Sequence, residues 1–136
     1  MKKRLLYLIF PIITLILEIL PFGAVCNFAN PEGEPWRRTF SYFDLTPFGY
    51  ANFAPLLTAI ITCAILVLLL IYMFTDNVKM ITAIKALLCI GVVMSLCPLL
   101  LGINYFSFVA ALITASLIAE LIFVFATASF FIKEKK

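Results

Sequence analysis

The sequence predicts an all-α integral membrane protein, an antiparallel four-helix bundle with one long aromatic-rich outer loop between helices 1 and 2. Composition is the first observation behind this fold class: of 136 residues, 65% are hydrophobic and 12% are charged, about half the charged share of a typical soluble domain. A soluble domain of this size cannot bury so much apolar surface. The second observation is that the apolar residues fall into four runs, each near the roughly 20 residues that a membrane-crossing helix needs.

The four predicted spans form a single membrane domain, 1–136, and lie at about 5–22, 53–74, 80–102 and 105–132. Three of the runs are almost continuously apolar without alternation of period two, which favours helices over the strands of a β-barrel. The second and third connections are short, so neighbouring spans are expected to run antiparallel. Pro98 predicts a kink near the outer end of the third span.

Basic residues predict the orientation, because lysine and arginine beside a span favour the cytoplasmic side. They lie before the first span, in the second connection and after the fourth span: Lys2, Lys3, Arg4, Lys79, Lys133, Lys135 and Lys136. With these inside, only Arg37 and Arg38 lie in the opposite compartment. We therefore expect a multi-pass protein of the cell membrane with both termini cytoplasmic. The net charge of +3 is explained by this topology and predicts no nucleic-acid partner.

The first span also has features of a secretory signal, since a basic start precedes an apolar run. Glu18 interrupts that run and Pro11 precedes the interruption. The four residues before Cys26 are a poor cleavage site, so we expect the first span to be retained.

The outer loop, about residues 23–52, is unusually rich in aromatic side chains. Nine lie in and beside it: Phe22, Phe28, Trp36, Phe40, Tyr42, Phe43, Phe48, Tyr50 and Phe53. Aromatic residues with a polar edge favour the headgroup layer, so the loop is expected to fold back on the membrane surface or to cap the bundle. Its tryptophan and paired arginines also match the composition of protein-binding hot spots.

Local signals within and after the loop predict three further features. Thr46 and Pro47 are a suitable N-cap and first-turn pair for a short interfacial helix. Asn52 is expected to cap the second span, with Pro55 in its first turn. The two arginines are expected to pair with acidic loop residues or with lipid phosphate; the acidic candidates are Glu32, Glu34 and Asp44.

Four spans with a large first outer loop resemble the layout of the claudin-like tight-junction family. The resemblance covers layout alone, because that family's tryptophan and paired cysteines are represented here by Trp36 and a single cysteine, Cys26. A first span with one glutamate likewise resembles the chemistry of small multidrug-resistance transporters. The long first loop and the second intramembrane glutamate depart from that pattern.

Three ionisable residues lie inside the predicted spans: Glu18, Lys85 and Glu120. Such residues are costly in lipid and indicate a functional site by default. At about 1.5 Å of rise per residue, Glu18 lies about 20 Å and Glu120 about 18 Å from the cytoplasmic boundary. The two carboxyls are therefore expected at a similar depth. Lys85 lies about 8 Å from that boundary and can extend its ammonium group to the cytoplasm.

Helical spacing places the polar residues of each span on one line, which is expected to face the bundle interior. The four lines are Tyr7, Pro11, Thr14 and Glu18; Thr58 and Thr62; Thr82, Lys85 and Cys89; and Ser116, Glu120 and Thr127. Small residues form a second pattern that favours close helix packing, within the chain or between copies. They are Gly91 and Ser95 in the third span and Ala111, Ala115, Ala119 and Ala126 in the fourth.

The chain lacks the residues of common catalytic and metal sites. It has no histidine, the commonest general base and transition-metal ligand. Its four cysteines form no Cys-x-x-Cys pair, although Cys26 and Cys97 are both expected near the outer face, where a disulfide is one alternative. These features predict no enzyme activity, no metal and no cofactor.

Two functions remain after these exclusions. The first is a non-enzymatic interaction or accessory subunit, with lipid around it and a membrane-protein partner or a second copy bound through the small-residue faces and the outer loop. The loop residues expected to bind are Trp36, Arg37, Arg38 and Tyr42. The alternative is a small proton- or cation-coupled transporter with Glu18 and Glu120 as exchange sites, Lys85 as an electrostatic modulator, and Thr14 and Ser116 as hydrogen-bond partners. A third possibility is resistance to a membrane toxin or peptide through the outer loop.

Overall fold

The structure, a computed structural model, describes residues 5–75 and 77–133, with side chains through residue 127. It is mostly helical and contains a two-stranded sheet that the all-α expectation did not include. The helices are α1 (Ile9–Ile19), α2 (Leu45–Gly49), α3 (Ala54–Thr75), α4 (Val78–Leu96), α5 (Pro98–Leu101) and α6 (Phe108–Lys133). The strands are β1 (Ala24–Phe28) and β2 (Trp36–Phe40), and 3₁₀ turns occupy Leu6–Leu8 and Ile103–Tyr105.

Three helical segments of the described chain are long and apolar enough to cross a membrane: Ala54–Thr75, Val78–Leu101 and Phe108–Thr127. The first apolar helix, Leu6–Ile19, is shorter, about 21 Å at the α-helical rise. It ends at Ile19 rather than at residue 22 because Pro21 disfavours a helical backbone at the residue before it. Leu20 accordingly has extended angles, φ −61° and ψ 137°.

The long helices pack side by side, with α1 against α3 and α6, and α4 against the same two helices. Their shared core is mainly aliphatic and includes Ile65, Leu88 and Leu117. Gly91 lets α4 approach α3, because a Cβ at that position would lie 3.3 Å from the side chain of Ile61. The predicted small residue therefore permits a close helix contact within the chain.

The third span is interrupted at Cys97, directly before Pro98, where the sequence predicts a kink. Helix α4 ends at Leu96, and Pro98 begins α5. The break follows from the missing N–H of proline and from its clash with the preceding turn. At the other end of α4, the Asn77 side chain accepts a hydrogen bond of 3.0 Å from the Lys79 N–H and caps the helix.

The predicted outer loop folds into an antiparallel β-hairpin, in which Ala24 pairs with Phe40 and Phe28 with Trp36. Aromatic and β-branched residues in the two strands favour this structure. The hairpin is attached to the helices at its base, where the Ser107 hydroxyl donates to the Gly23 carbonyl at 2.7 Å. This attachment holds the hairpin over the ends of α1 and α6.

Two predicted helix caps are wrong. The side chain of Asn52 does not cap α3; it donates to the Val25 carbonyl at 3.2 Å and ties the hairpin to the chain before that helix. The short helix expected at Thr46 forms, but its cap is Asp44, whose Oδ1 accepts from the Thr46 N–H at 2.8 Å. Hydrogen bonds from Thr46 hold the pKa of Asp44 below its usual value.

Candidate functional site

Glu18 and Glu120 are both buried where α1 meets α6. Glu18 is 0% and Glu120 is 1% exposed, and the two helices that carry them pack against each other. Glu18 lies on the predicted polar line of α1, whose other members, Tyr7, Pro11 and Thr14, are also buried. The spacing of 4, 3 and 4 residues thus places a single face of α1 in the interior.

Among the described residues, the side chain of Glu18 has one hydrogen-bond partner, and that partner lies on α3. The hydroxyl of Thr62 donates to Glu18 Oε1 at 2.8 Å, and it also lies 3.1 Å from the Thr58 carbonyl. Since a hydroxyl has one hydrogen, these two acceptors share it. Both threonines are buried, which confirms that their predicted line on α3 faces the interior.

Tyr42 completes the cluster from the segment that follows the hairpin. It is 0% exposed, and its backbone N–H donates to the Glu18 carbonyl at 2.9 Å. The ring lies against Gly23, where a Cβ would be 2.8 Å from it. Burial raises the pKa of Tyr42, and the charge of Glu18 adds to the effect. Tyr42, which we expected to bind a partner together with Trp36 and the two arginines, therefore lies in the interior instead.

We call Glu18, Tyr42, Thr62 and Glu120 the carboxyl cluster. Four of its buried oxygens have no hydrogen-bond partner in residues 5–75 and 77–133: Glu18 Oε2, the Tyr42 hydroxyl, and both carboxyl oxygens of Glu120. An unpartnered buried polar group costs free energy, and an unpaired buried charge costs far more. The carboxyls avoid the larger of these two costs when they are protonated and neutral.

The hydroxyls that we expected to hydrogen-bond the carboxyls instead join neighbouring helices to each other. Thr14 and Ser116 bond to each other at 2.7 Å, which links α1 to α6. The Tyr7 hydroxyl, from the 3₁₀ turn that precedes α1, donates to Thr127 of α6 at 2.6 Å and makes a second link beside the first. Thr14 and Ser116 therefore position the carboxyl cluster by fixing α1 against α6.

Lys85 lies apart from the carboxyls. Its ammonium group is 4.5 Å from the centre of the Phe125 ring, and the described residues contain no ion pair between it and Glu18 or Glu120. Thr82 and Cys89, the other members of its predicted line, are exposed. The prediction that this line faces the interior is wrong, because α4 presents Ile84 and Leu88 to the core instead.

The small residues of α6 do not form one packed face. Ala115 and Ala126 are exposed, while Ala111 and Ala119 are half-buried. Of the small residues in α6, Ala110 is the most deeply buried. The exposed alanines, Ala115 and Ala126, form a surface that another helix can approach closely.

The hairpin presents an ordered aromatic and basic surface. Trp36 is 61% exposed, and the Arg38 guanidinium lies 5.7 Å from the centre of its ring. Phe28 contacts both Trp36, at 6.1 Å, and Tyr50, at 4.9 Å between ring centres. Arg37 is exposed as well.

The ion pairs expected for the two arginines, with Glu32, Glu34 or Asp44, do not occur within the described part of the chain. Arg38 is held by aromatic rings instead. The four cysteines are free thiols, and Cys26 is buried, so the alternative of a bridge to Cys97 is not realised.

The residues that the structure describes contain no group of three or more histidine, cysteine, aspartate or glutamate side chains suited to a metal ion. No protein-family model, curated protein or solved structure matches this chain.

Proposed function

We propose that this chain is a multi-pass protein of the cell membrane, a four-helix bundle with both termini cytoplasmic and the hairpin outside. Three long apolar helices support membrane insertion. The shorter first helix is compatible with it, because the hairpin covers the outer end of α1 and a short span is accommodated by local thinning of the bilayer. Lys79, in the first turn of α4, then lies on the cytoplasmic side.

Within this bundle, the proposed function is exchange of protons or small cations at the carboxyl cluster, as in a small proton- or cation-coupled transporter. One observation carries the proposal: Glu18 and Glu120 are fully buried, and three of their four carboxyl oxygens have no partner among the described residues. Ionisable groups inside a membrane are expensive and commonly mark ion or proton pathways. Ligands that are all oxygen suit a proton or a hard cation.

The proposed role is non-enzymatic. The cluster offers carboxyls and hydroxyls, in a chain without histidine. This set suits the binding and release of a proton or cation, and it lacks the activated nucleophile that covalent catalysis requires. No cofactor is needed for such an exchange.

Proton flux in proteoliposomes tests the proposal. The purified full chain is reconstituted with a pH-sensitive dye inside, and a pH gradient is imposed with and without a hydrophobic cation outside. We expect wild type to exceed protein-free liposomes, and Glu18→Gln and Glu120→Gln to lose that excess. Thr82→Val is the matched control, because Thr82 is exposed on α4. Wild-type flux equal to that of protein-free liposomes would overturn the proposal.

A second candidate is an interaction or accessory subunit that binds a membrane-protein partner or a second copy. It is favoured by the exposed Trp36 with Arg38 stacked on it, since tryptophan and arginine dominate binding hot spots. The exposed Ala115 and Ala126 add a surface for close helix approach.

Site-specific cross-linking in native membranes distinguishes this candidate. A partner bound by the hairpin would be lost in Trp36→Ala and Arg38→Gln and retained in Glu120→Gln. A cross-linked product that persists in both hairpin variants would exclude the hairpin as the binding surface.

A further inference from the structure

A polar cavity of about 440 Å³ lies between the hairpin and the turn that precedes α6. Its polar lining comes from Asn27, Glu34, Arg37, Asn104 and Tyr105. Asn27 and Arg37 are direct partners across the two strands, so their side chains emerge on the same face of the hairpin. The cavity is therefore built by the strand pairing itself, on the face opposite to Arg38.

The two charged side chains of this cavity have opposite signs and do not neutralise each other. Glu34 and Arg37 both line it, yet no ion pair joins them in residues 5–75 and 77–133. A carboxylate and a guanidinium that face one cavity separately are complementary to a ligand that carries both charges. The amide side chains of Asn27 and Asn104 add donors and acceptors between them.

A second groove, of about 310 Å³, lies on the other side of Leu101, the one residue that lines both it and the polar cavity. It runs between the start of α3 and the end of α4, and its walls are mainly apolar: Phe53, Ala54, Leu57, Met94 and Leu100. A polar cavity and an apolar groove on either side of one leucine fit an amphiphile that lies across Leu101, with its charged head in the cavity and a hydrocarbon chain in the groove.

We propose that this composite site binds a phospholipid with a zwitterionic headgroup, its phosphate at Arg37, its ammonium group at Glu34 and one acyl chain in the groove beyond Leu101. Guanidinium is the side chain best suited to phosphate. The proposal rests on the membrane placement and orientation given above, with the hairpin at the outer surface. It is independent of ion exchange at the carboxyl cluster.

Two residues near the cavity provide matched controls. Arg38 follows Arg37 in β2, but its guanidinium lies over the Phe40 ring at 5.9 Å and lines neither cavity. Glu32 lies in the same hairpin turn as Glu34, and its backbone N–H donates to the Asn30 side chain at 3.2 Å. Substituting these controls changes the hairpin's net charge as the test variants do, without changing the cavity.

Native mass spectrometry of the detergent-purified full chain, mixed with equal amounts of phosphatidylethanolamine and phosphatidylglycerol, tests the site. Wild type, Arg38→Gln and Glu32→Gln are expected to retain phosphatidylethanolamine selectively. Arg37→Gln and Glu34→Gln are expected to lower its apparent affinity about tenfold each, the effect of losing one charge-assisted contact.

Three results would overturn the proposal. One is equal retention of both lipids by wild type, and another is an equal loss of binding in Arg38→Gln. The third is equally strong binding of glycerophosphoethanolamine, which has the headgroup and no chains and would show that the groove contributes nothing. Proton flux of Arg37→Gln in proteoliposomes separates this proposal from the exchange function, because we expect that flux to match wild type while lipid selectivity is lost.

Discussion

The backbone N–H of Tyr42 donates to the carbonyl oxygen of Glu18 at 2.9 Å. This bond occupies one of the carbonyls that the end of a helix leaves without an internal partner. It also ties the segment after the hairpin to the backbone of the residue that carries the buried carboxyl. The segment after the hairpin and the carboxyl cluster are therefore one packed unit. Changes in the packing of Tyr42 should alter the position of Glu18.

Gly23→Ala tests that unit at the ring of Tyr42. A Cβ at Gly23 would lie 2.8 and 2.9 Å from two atoms of the ring, so the buried ring must move. We expect a loss of about 1–3 kcal/mol in the free energy of unfolding, as for other overpacked sites. Thermal unfolding in detergent measures it. The control is Gly49→Ala, because nothing lies within 4 Å of the added Cβ there; equal effects of the two variants would contradict the packing of Tyr42 on Gly23.

Tyr42→Phe tests the buried hydroxyl. Burial raises the pKa of Tyr42 in the folded chain, whereas in the unfolded chain tyrosine ionises near pH 10. The unfolded state therefore releases a proton above about pH 10 that the folded state keeps, and stability should fall with rising pH there. We expect Tyr42→Phe to remove part of this alkaline loss while matching or exceeding wild-type stability at pH 7, since the hydroxyl has no partner among the described residues. An unchanged alkaline profile would show that Tyr42 is not buried.

Thr62→Val removes the donor to Glu18 Oε1 at 2.8 Å and keeps the side-chain shape. We expect a loss of about 1 kcal/mol in stability, because hydrogen bonds between membrane helices average about 0.6 kcal/mol and an orphaned acceptor adds to the cost. Thr62→Ser, which retains the hydroxyl, should recover most of the loss. Thr82→Val provides the exposed control, and a loss of the same size in that variant would contradict a specific role for the bond.

Asp44→Ala removes the cap of α2, in which Oδ1 accepts from the Thr46 N–H at 2.8 Å. We expect a loss of about 1 kcal/mol, and Asp44→Asn should retain most of the cap. The pKa of Asp44 is lowered in the folded chain, so the carboxylate stabilises the fold above its ordinary pKa near 4. That contribution should disappear as the pH falls through the lowered folded value. An acid unfolding profile identical in wild type and Asp44→Ala would contradict it.

The sequence alone was sufficient to predict the long helices, because apolar runs of that length form few other structures. It was also sufficient for the buried face of α1, where the polar residues from Tyr7 to Glu18 fall on one stripe. The same reasoning failed at Thr82 and Cys89, because both faces of α4 are apolar and spacing alone does not identify the one that packs inward. The two strands of the hairpin were not predicted either, because the aromatic residues indicated only a loop that folds back on the membrane surface or caps the bundle.

Tyr42 shows why the site itself was only partly predictable. Its burial depends on Gly23 and on the end of α1, both distant in sequence, and no local pattern around Tyr42 distinguishes a buried ring from an interfacial one. The two glutamates were identifiable, since an ionisable residue in an apolar run is conspicuous. Counting residues predicted a similar depth for the two carboxyls, whereas their unpartnered oxygens became visible only in the packed structure.

Proton flux through Glu120→Gln in proteoliposomes is the most direct test of exchange at the carboxyl cluster. Neither carboxyl oxygen of Glu120 has a partner among the described residues, so the amide breaks no hydrogen bond while it removes the exchangeable proton and the charge. We predict a variant that is as stable as wild type and whose flux falls to that of protein-free liposomes. Wild-type flux in a folded Glu120→Gln protein would contradict the assignment of Glu120 to the exchange site.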